Sequence, residues 1–294
     1  MDEGGLGGVA APRGADPRAP EAANPPKLTG LLSIYVHLIG SRIRSQVQYR
    51  SSFVMSIVGN LLVSFLDFLG ILVFFHHVPT LGGWKFEEIA FLYGSSYIGM
   101  RFADMAVGHI EQLPQYIRMG TFDTFLMRPL GSLFQMTTAD FSLRQIGGAI
   151  QGAVIFGLAL GWVTVEWSFG RVAMVAITIV TGAAIFSAVW IIGNAISFWL
   201  IDTREIANAF TYGGNFVNQY PLHIFSGWIR RFVTVVVPIA FVNYFPSLYI
   251  LGRDAPFGAS PVLSFISPVV AAATSAVAWF IWRAGVRHYR STGS

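Results

Sequence analysis

Hydrophobic residues follow one another in long runs along most of this chain, with short polar stretches between the runs. The first clear run covers residues 53–75, which is long enough for a helix to cross a hydrocarbon core of about 30 Å. Similar runs recur, so the pattern predicts an all-α integral membrane protein with six transmembrane helices. The predicted spans lie at about residues 53–75, 89–110, 146–165, 172–200, 203–226 and 261–282.

Two segments without such runs precede the first span. Residues 1–27 are dominated by Gly, Ala and Pro and lack the apolar core of a signal peptide, which predicts a disordered cytoplasmic tail. Residues 28–50 carry apolar side chains at intervals of three and four, with arginines towards the end. This spacing predicts an amphipathic interface helix on the inner membrane surface. Residues 51–294 then form the six-span membrane domain.

The region after the fourth span allows two interpretations. In the first, residues 203–226 form the fifth span and residues 228–251 form a broken re-entrant hairpin on the outer side. In the second, residues 203–228 lie at the cytoplasmic surface and residues 232–251 form the span. The second keeps two consecutive arginines off the outer side, as the positive-inside rule favours. Prolines within the apolar run favour the first, because non-helical backbone at membrane depth must be buried in protein or line water.

Positive charge is distributed unevenly over the two sides of this topology. With both termini inside, the inner segments from residue 27 onwards carry eleven Lys and Arg residues and the outer loops carry at most five. Since inner loops of membrane proteins are enriched in positive charge, both termini are predicted to be cytoplasmic. The inner set is Lys27, Arg42, Arg44, Arg50, Arg118, Arg128, Arg144, Arg204, Arg283, Arg287 and Arg290, and the outer set is Lys85, Arg171, Arg230, Arg231 and Arg253.

The composition supports a membrane protein and excludes several kinds of chemistry. Hydrophobic residues make up 54% of the chain and charged residues 12%, about half of the roughly 25% charge of soluble domains. Without cysteine the chain has no disulfide or thiolate metal site. Its two lysines lie outside any G-x-x-x-x-G-K-[ST] sequence, so it has no nucleotide-binding P-loop. The net charge of +4 is spread along the chain, and we therefore expect no nucleic-acid partner.

Three charged residues, Asp67, Arg101 and Asp104, fall in the interior of predicted spans, away from the span ends. A charge at the centre of a span costs about 2.5–3.5 kcal/mol on insertion scales, so each should have a partner. Arg101 and Asp104 are three residues apart and can pair on one helix face, and Asp67 could join them from span one. Two interpretations follow: a structural ion cluster between helices, or a substrate-binding or proton-relay site. The neighbouring His76 and His77 are too few to predict a metal site.

Span three contains two glycine pairs with four-residue spacing. They are Gly148 with Gly152 and Gly157 with Gly161. Such pairs let helix backbones approach closely, and we expect them to pack inside the chain.

Between spans two and three, residues 118–131 (RMGTFDTFLMRPLG) are dense in charge, glycine, threonine and proline. Pro114 can begin a short helix that Gly120 ends, and Thr121 can cap a second one that Pro129 stops. The exposed faces of the two helices should combine charged and apolar side chains, a mixture that suits a protein groove. A solvated loop held at the headgroups by its arginines is the alternative. The expected face consists of Arg118, Phe122, Asp123, Phe125, Leu126 and Arg128.

Residues 120–130, GTFDTFLMRPL, resemble the G-T-L-[ED]-x-L-L-x-x-P-L signature that follows the second span of ABC-type-2 permeases, the membrane subunits of ATP-driven exporters. Residues 220–252 are similar to the stretch of that family that forms outer re-entrant helices after span five, which favours the first of the two interpretations above. The resemblance covers about residues 28–294 and is closest to a less characterised branch, whose members pair with a separate ATPase and often with a second permease. The hairpin residues it implies are Ser226, Gly227, Trp228, Pro238, Asn243 and Pro246.

The resemblance implies a permease subunit that moves an amphipathic, lipid-like or drug-like substrate out across the bacterial plasma membrane by alternating access. Two permeases, identical or related, would work with two ABC ATPase subunits that bind ATP and Mg, while this chain binds no cofactor and is not an enzyme. An ATPase-independent membrane scaffold or assembly protein and a secondary transporter are the alternatives, although a secondary transporter usually shows internal repeats. The implied ATPase-coupling residues are Arg118, Gly120, Thr121, Asp123, Leu126, Arg128 and Pro129.

Overall fold

A computed structural model describes residues 40, 50–139, 145–200, 204–254, 258 and 260–290. These residues belong to the compact unit Leu38–Ser294, and their backbone is helical apart from turns, irregular connections and one isolated bridge between Leu81 and Trp84. The predicted tail, residues 1–27, lies outside the described residues. So does the predicted interface helix, residues 28–50, apart from Gly40 and Arg50.

The described residues form eleven α-helices, which we number in chain order. They are α1 (Arg50–His77), α2 (Phe86–Val107), α3 (Leu113–Arg118), α4 (Asp123–Leu126), α5 (Ser132–Thr138), α6 (Ile146–Trp162), α7 (Phe169–Ala195), α8 (Arg204–Asn218), α9 (Gly227–Arg231), α10 (Tyr244–Leu251) and α11 (Ser267–His288). Short 3-10 turns extend α2 (Gly108–Gln112) and α7 (Ile196–Phe198), follow α8 (Leu222–Ile224) and precede α11 (Pro261–Phe265). A π-helical turn (Phe232–Val236) and a 3-10 turn (Ile239–Phe241) join α9 to α10.

Three helical stretches of the described chain are long and apolar enough to cross a membrane: Phe53–His77, Phe169–Phe198 and Ser267–His288. A fourth candidate consists of Gly227–Val236 and Ile239–Leu251, which bend by 76° at the break between them. Helix α6 is apolar, but its 17 residues are fewer than the roughly 20 needed to span a bilayer. By length and hydropathy, the described residues therefore contain three or four candidate spans, and the six-span layout stays a prediction.

The predicted second and fifth spans correspond to α2 and α8, and neither helix is among the apolar candidate spans of the described chain. All twelve residues of α2 from Ile89 to Met100 are buried, because α6, α7 and α8 pack around this helix. A helix enclosed by other helices does not need a lipid-compatible surface and can hold polar side chains. Helix α8 is strongly amphipathic, with Thr211 and Asn215 among its buried residues. Hydropathy alone consequently misses both helices, because α2 is enclosed by other helices and α8 carries polar side chains on its buried face.

Only one of the two glycine pairs in α6 packs as predicted. A Cβ atom added at Gly148 or Gly152 would lie 2.9 Å or 3.2 Å from side-chain atoms of α2, so these two positions allow the helices to approach closely. At Gly157 and Gly161, in contrast, an added Cβ would meet no described atom within 4 Å. The second pair therefore takes no part in packing among the described residues.

Candidate functional site

The segment between α2 and α6 begins with α3, whose ends agree with the sequence prediction. Pro114 stands in the first turn of α3, where its missing N–H group leaves no helical hydrogen bond unmade. Gly120 has a φ of +68° just beyond the end of the helix. This left-handed conformation suits glycine and stops the helix.

Helix α4 forms next, but Thr121 does not cap it as predicted. Phe122 occupies the cap position without a side-chain bond, and the Thr121 hydroxyl donates instead to the carbonyl of Tyr116 at 3.5 Å. Helix α4 ends at Leu126, and Pro129 lies in the bend that follows. A third short helix, α5, comes after this bend and was not predicted.

Phe122 and Phe125 are buried, which corrects the prediction that they lie on the exposed face. The Phe122 side chain is 0% exposed, and its ring packs edge-on against the rings of Phe198, Trp282 and Tyr289 at centroid distances of 5.3, 6.3 and 5.1 Å. Aromatic pairs of this kind contribute about 0.5–1.5 kcal/mol beyond the area they bury. The aromatic cluster therefore fixes α4 to the ends of α7 and α11.

Gln135 on α5 holds the bend after α4 in place. Its side-chain amide donates to the carbonyls of Phe125 and Leu130 at 2.8 Å and 2.5 Å. Ser132, at the start of α5, accepts a hydrogen bond of 3.2 Å from the indole of Trp282. The three short helices are thus tied to one another and to α11.

The side chains that point away from the bundle form a surface of mixed character, which we call the 118–128 face. It consists of Arg118, Met119, Leu126, Met127 and Arg128, all exposed, and Met127 is the most exposed at 78%. Exposed apolar side chains flanked by cations are typical of protein contact sites, and methionine adapts its shape to a partner. Thr121 and Pro129 are also exposed, and Asp123 is half-buried.

Glu111, just beyond the predicted second span, connects the base of this segment to two long helices, and the sequence analysis did not single it out. The Trp190 indole of α7 donates to the Glu111 carboxylate at 3.1 Å. Burial raises the pKa of Glu111, while hydrogen bonds from Trp190 and Tyr212 and the positive charge of Arg204 act in the opposite direction. Tyr212 and Arg204 both belong to α8, so one carboxylate joins three helices.

Arg101 and Asp104 form the ion pair that their spacing predicted. The closest atoms, Arg101 Nη1 and Asp104 Oδ2, are 3.6 Å apart, and the two side chains are only 15% and 8% exposed. The guanidinium also donates to Gln145 Oε1 at 2.7 Å and to the Tyr97 hydroxyl at 2.6 Å. Gln145 is 44 residues away in the chain, and no local pattern identified it as a partner.

Asp67 does not join this ion pair, contrary to the prediction. It is exposed on α1, and within the described part of the chain no hydrogen bond or ion pair connects it to Arg101 or to Asp104. From α1, the Ser64 hydroxyl reaches this network and bonds the hydroxyl of Tyr97. The charge of Arg101 is therefore balanced without Asp67.

The predicted hairpin residues lie along a segment whose two ends meet the same loop. His223 Nε2 donates to the Gly82 carbonyl at 2.7 Å. Arg253 donates to the Gly83 carbonyl at 2.9 Å and forms a bidentate ion pair with Glu88 at 2.6 and 2.7 Å. The chain thus leaves the Gly82–Gly83 loop near residue 223 and returns to it at residue 253.

Between these ends the segment enters the bundle. Ser226, Gly227 and Trp228 begin α9, Pro238 lies at the bend, Asn243 precedes α10 and Pro246 lies in its first turn. The buried Asn243 amide donates to the carbonyls of Leu92 and Asn218 at 2.8 and 3.0 Å. A Cβ atom at Gly182, in the middle of α7, would lie 3.0 Å from Val242. The tip therefore reaches about half the length of α7 before the chain turns back.

Comparison with known families gives a match over residues 61–293 to the family described as ABC-2 family transporter protein. No curated protein and no solved structure matches the chain.

Proposed function

The chain belongs to the ABC-2 transporter family, and from this premise we propose that it is the permease subunit of an ATP-driven exporter. A membrane protein of this family is the transport component, and ATP hydrolysis belongs to a separate ATPase. In our proposal, two permeases, identical or related, work with two ABC ATPase subunits in the bacterial plasma membrane. ATP and Mg bind to the ATPases, and an amphipathic, lipid-like or drug-like substrate is carried outward.

The 118–128 face is the observation that best supports docking of an ATPase. Its exposed methionines and arginines can contact a partner, while Phe125 within α4 is buried and Phe122, at the start of α4, packs against the ends of α7 and α11. A helix that is exposed on one side and anchored on the other can transmit force to the bundle. We propose that Arg118, Gly120, Thr121, Asp123, Leu126, Arg128 and Pro129 form this coupling element.

Glu111 supplies a route by which movement of the coupling element would reach the transport path. It lies between α2 and α3 and is bonded to Trp190 on α7 and to Tyr212 on α8. A displacement of α3 would therefore change the positions of α2 and α8 together. We propose that these helices, the predicted second and fifth spans, move to open a central path alternately to the two sides.

The course of residues 223–253 supports the outer re-entrant hairpin and, with it, the six-span topology. A continuous span would have its two ends on opposite sides of the membrane, whereas both ends of this segment contact the Gly82–Gly83 loop. Its irregular backbone is buried in protein around Asn243, as non-helical backbone at membrane depth requires. We accordingly propose that α8 is the fifth span and that both termini are cytoplasmic.

Co-purification from native membranes tests the proposal. The full-length chain is tagged and expressed together with the products of its neighbouring genes, and any complex is isolated in detergent and reconstituted in lipid. We expect the ATPase to co-purify and to hydrolyse ATP. A chain that retains no ATPase would overturn the coupling function and favour a scaffold or a secondary transporter.

A further inference from the structure

A cavity of about 620 Å³ lies between α1 and the end of α8. Helix α1 lines one side with Leu66, Asp67 and Phe74, and the opposite side is formed by Phe216, Tyr220 and Phe225. Ligand pockets in proteins measure about 300–1,000 Å³ and are mostly apolar with a few polar groups. This cavity has the size and the lining of such a pocket.

Asp67 is the one charged side chain among the described residues that line the cavity. It lies well inside the apolar stretch Phe53–His77, where an ionised side chain is costly unless something compensates its charge. Among the described residues it makes no hydrogen bond or ion pair, and its side chain is exposed. Within the part of the chain that the structure describes, no interaction therefore requires a carboxylate at this position.

The ion pair in α2 does not account for Asp67 either. Arg101 is balanced by Asp104 and bonded by Gln145, so removal of the Asp67 charge would leave that network intact. A negative charge that no described cation neutralises is suited to a positive ligand.

The aromatic rings that line the cavity with Asp67 favour a cationic ligand. The faces of Phe and Tyr rings attract cations by about 0.5–2 kcal/mol, depending on how far the cation is desolvated. Because no Lys, Arg or His lines the cavity among its described residues, an anionic group has no partner there. The apolar walls favour a ligand with a large apolar body and one positive charge.

We propose that this cavity is a binding site for organic monocations with an apolar body, such as lipophilic amines, quaternary ammonium or phosphonium ions, with Asp67 as the counter-ion. The cavity adjoins α8, the helix that Glu111 links to the coupling element. A role of the site in transport rests on the proposed function, whereas binding itself does not.

Tetraphenylphosphonium and tetraphenylborate provide the test, because the two ions have nearly the same size and shape and opposite charge. The purified full-length chain is placed in nanodiscs of uncharged lipid without ATPase, and binding of radiolabelled tetraphenylphosphonium is measured at equilibrium. We expect saturable binding of the cation and, in a separate measurement with tetraphenylborate alone, no saturable binding of the anion. The Asp67→Asn variant should bind the cation at least tenfold more weakly, and Asp67→Glu should stay within a few-fold of the original chain.

Glu205→Gln is the matched control, since this exposed carboxylate lies at the opposite end of α8 and its loss should leave binding unchanged. Phe216→Leu removes one ring of the cavity while keeping an apolar side chain, and it should weaken binding several-fold. Size-exclusion chromatography and the thermal midpoint of each variant report whether it is folded.

Equal binding of the two ions, or unchanged binding in a folded Asp67→Asn variant, would overturn the proposal. A change in self-association of Asp67→Asn without a change in cation affinity would do so as well, because the cavity would then be covered by a second copy of the chain. Failure of the ATPase to co-purify, in contrast, would affect only the proposed transport function, since the binding assay contains no ATPase.

Discussion

The indole nitrogen of Trp190 donates a hydrogen bond to Glu111 at 3.1 Å, and this bond joins α7 to the turn from which the coupling element projects. The carboxylate lies in a partly buried site beside Tyr212 and Arg204. A change in the charge or position of Glu111 therefore alters contacts of α2, α7 and α8 together.

Replacement of Glu111 by glutamine should make stability depend less on pH. Burial raises the pKa of Glu111 above its ordinary value of 4.5, so the folded chain holds this proton more tightly than the unfolded chain. The resulting stabilisation is fully present below pH 4.5 and is lost as the pH rises through the folded pKa. The thermal midpoint of the original chain should therefore fall, relative to that of Glu111→Gln, as the pH is raised from 4 to 8. A constant difference between the two midpoints would contradict the raised pKa.

Gly120→Ala should weaken coupling to the ATPase, because alanine at a φ of +68° costs about 1–2 kcal/mol of backbone strain. We expect the strain to shift α4 relative to α3 and to lower transport-linked ATP hydrolysis several-fold. Gly131→Ala is the matched control, since Gly131 has a negative φ of −55° and open space around it. Equal ATPase activity of the two variants in reconstituted membranes would argue against a specific conformation at Gly120.

Met127→Asp tests the 118–128 face directly. A carboxylate at this exposed position should repel an apolar partner surface without disturbing the buried Phe122 anchor, and we expect at least a tenfold loss of co-purified ATPase. Met127→Leu keeps an apolar side chain of similar volume and should retain the ATPase. If both variants bind the ATPase like the original chain, the docking surface lies elsewhere.

Asp104→Asn should destabilise the fold, whereas Asp67→Asn should not. Removing one partner of a buried ion pair typically costs about 3–5 kcal/mol, because the other charge remains buried without compensation. Asp104 pairs with Arg101 in a nearly solvent-free site, and Asp67 stands in an open cavity. The same chemical change is thus made in two environments, and thermal unfolding in detergent compares them. Similar midpoints for the two variants would contradict the separate roles assigned to these carboxylates.

Hydrophobic periodicity predicted the long helices well because lipid contact imposes an apolar surface over a fixed length. The predicted ends of the first span, residues 53 and 75, lie within three residues of the ends of α1, Arg50 and His77. An apolar surface is a weaker guide to helices inside the bundle. Helix α2 is buried among other helices and not in lipid, and it carries Arg101 and Asp104. The number of spans therefore cannot be read from hydropathy alone.

Only those features of the candidate site that depend on the backbone preferences of single residues were predictable from the sequence. Pro114 and Gly120 act through their own backbone preferences, so the ends of α3 were foreseeable. The burial of Phe122 depends on Trp282 and Tyr289, about 160 residues further along the chain. No local sequence pattern distinguishes a phenylalanine that is exposed to a partner from one that is buried against the bundle. For the same reason, no local pattern indicated that Gln145 would bond Arg101 or that Asp67 would stay outside the ion pair.

Single-cysteine labelling decides between a re-entrant hairpin and a continuous span after α8. The chain contains no cysteine, so Ser226→Cys, Asp254→Cys and Thr124→Cys each introduce one thiol at an exposed position. Both ends of the hairpin contact the Gly82–Gly83 loop. We therefore expect a membrane-impermeant maleimide to label residues 226 and 254 from the outside of intact cells.

Thr124→Cys, on the coupling element, serves as the control and should react only after the membrane is made permeable. A continuous span would instead place residues 226 and 254 on opposite sides, so that only one of them reacts in intact cells. That result would move the fifth span to residues 232–251 and remove α8 from the proposed transport path. It would leave cation binding at Asp67 to be judged by its own assay, because the walls of that cavity are defined by contacts and not by membrane orientation.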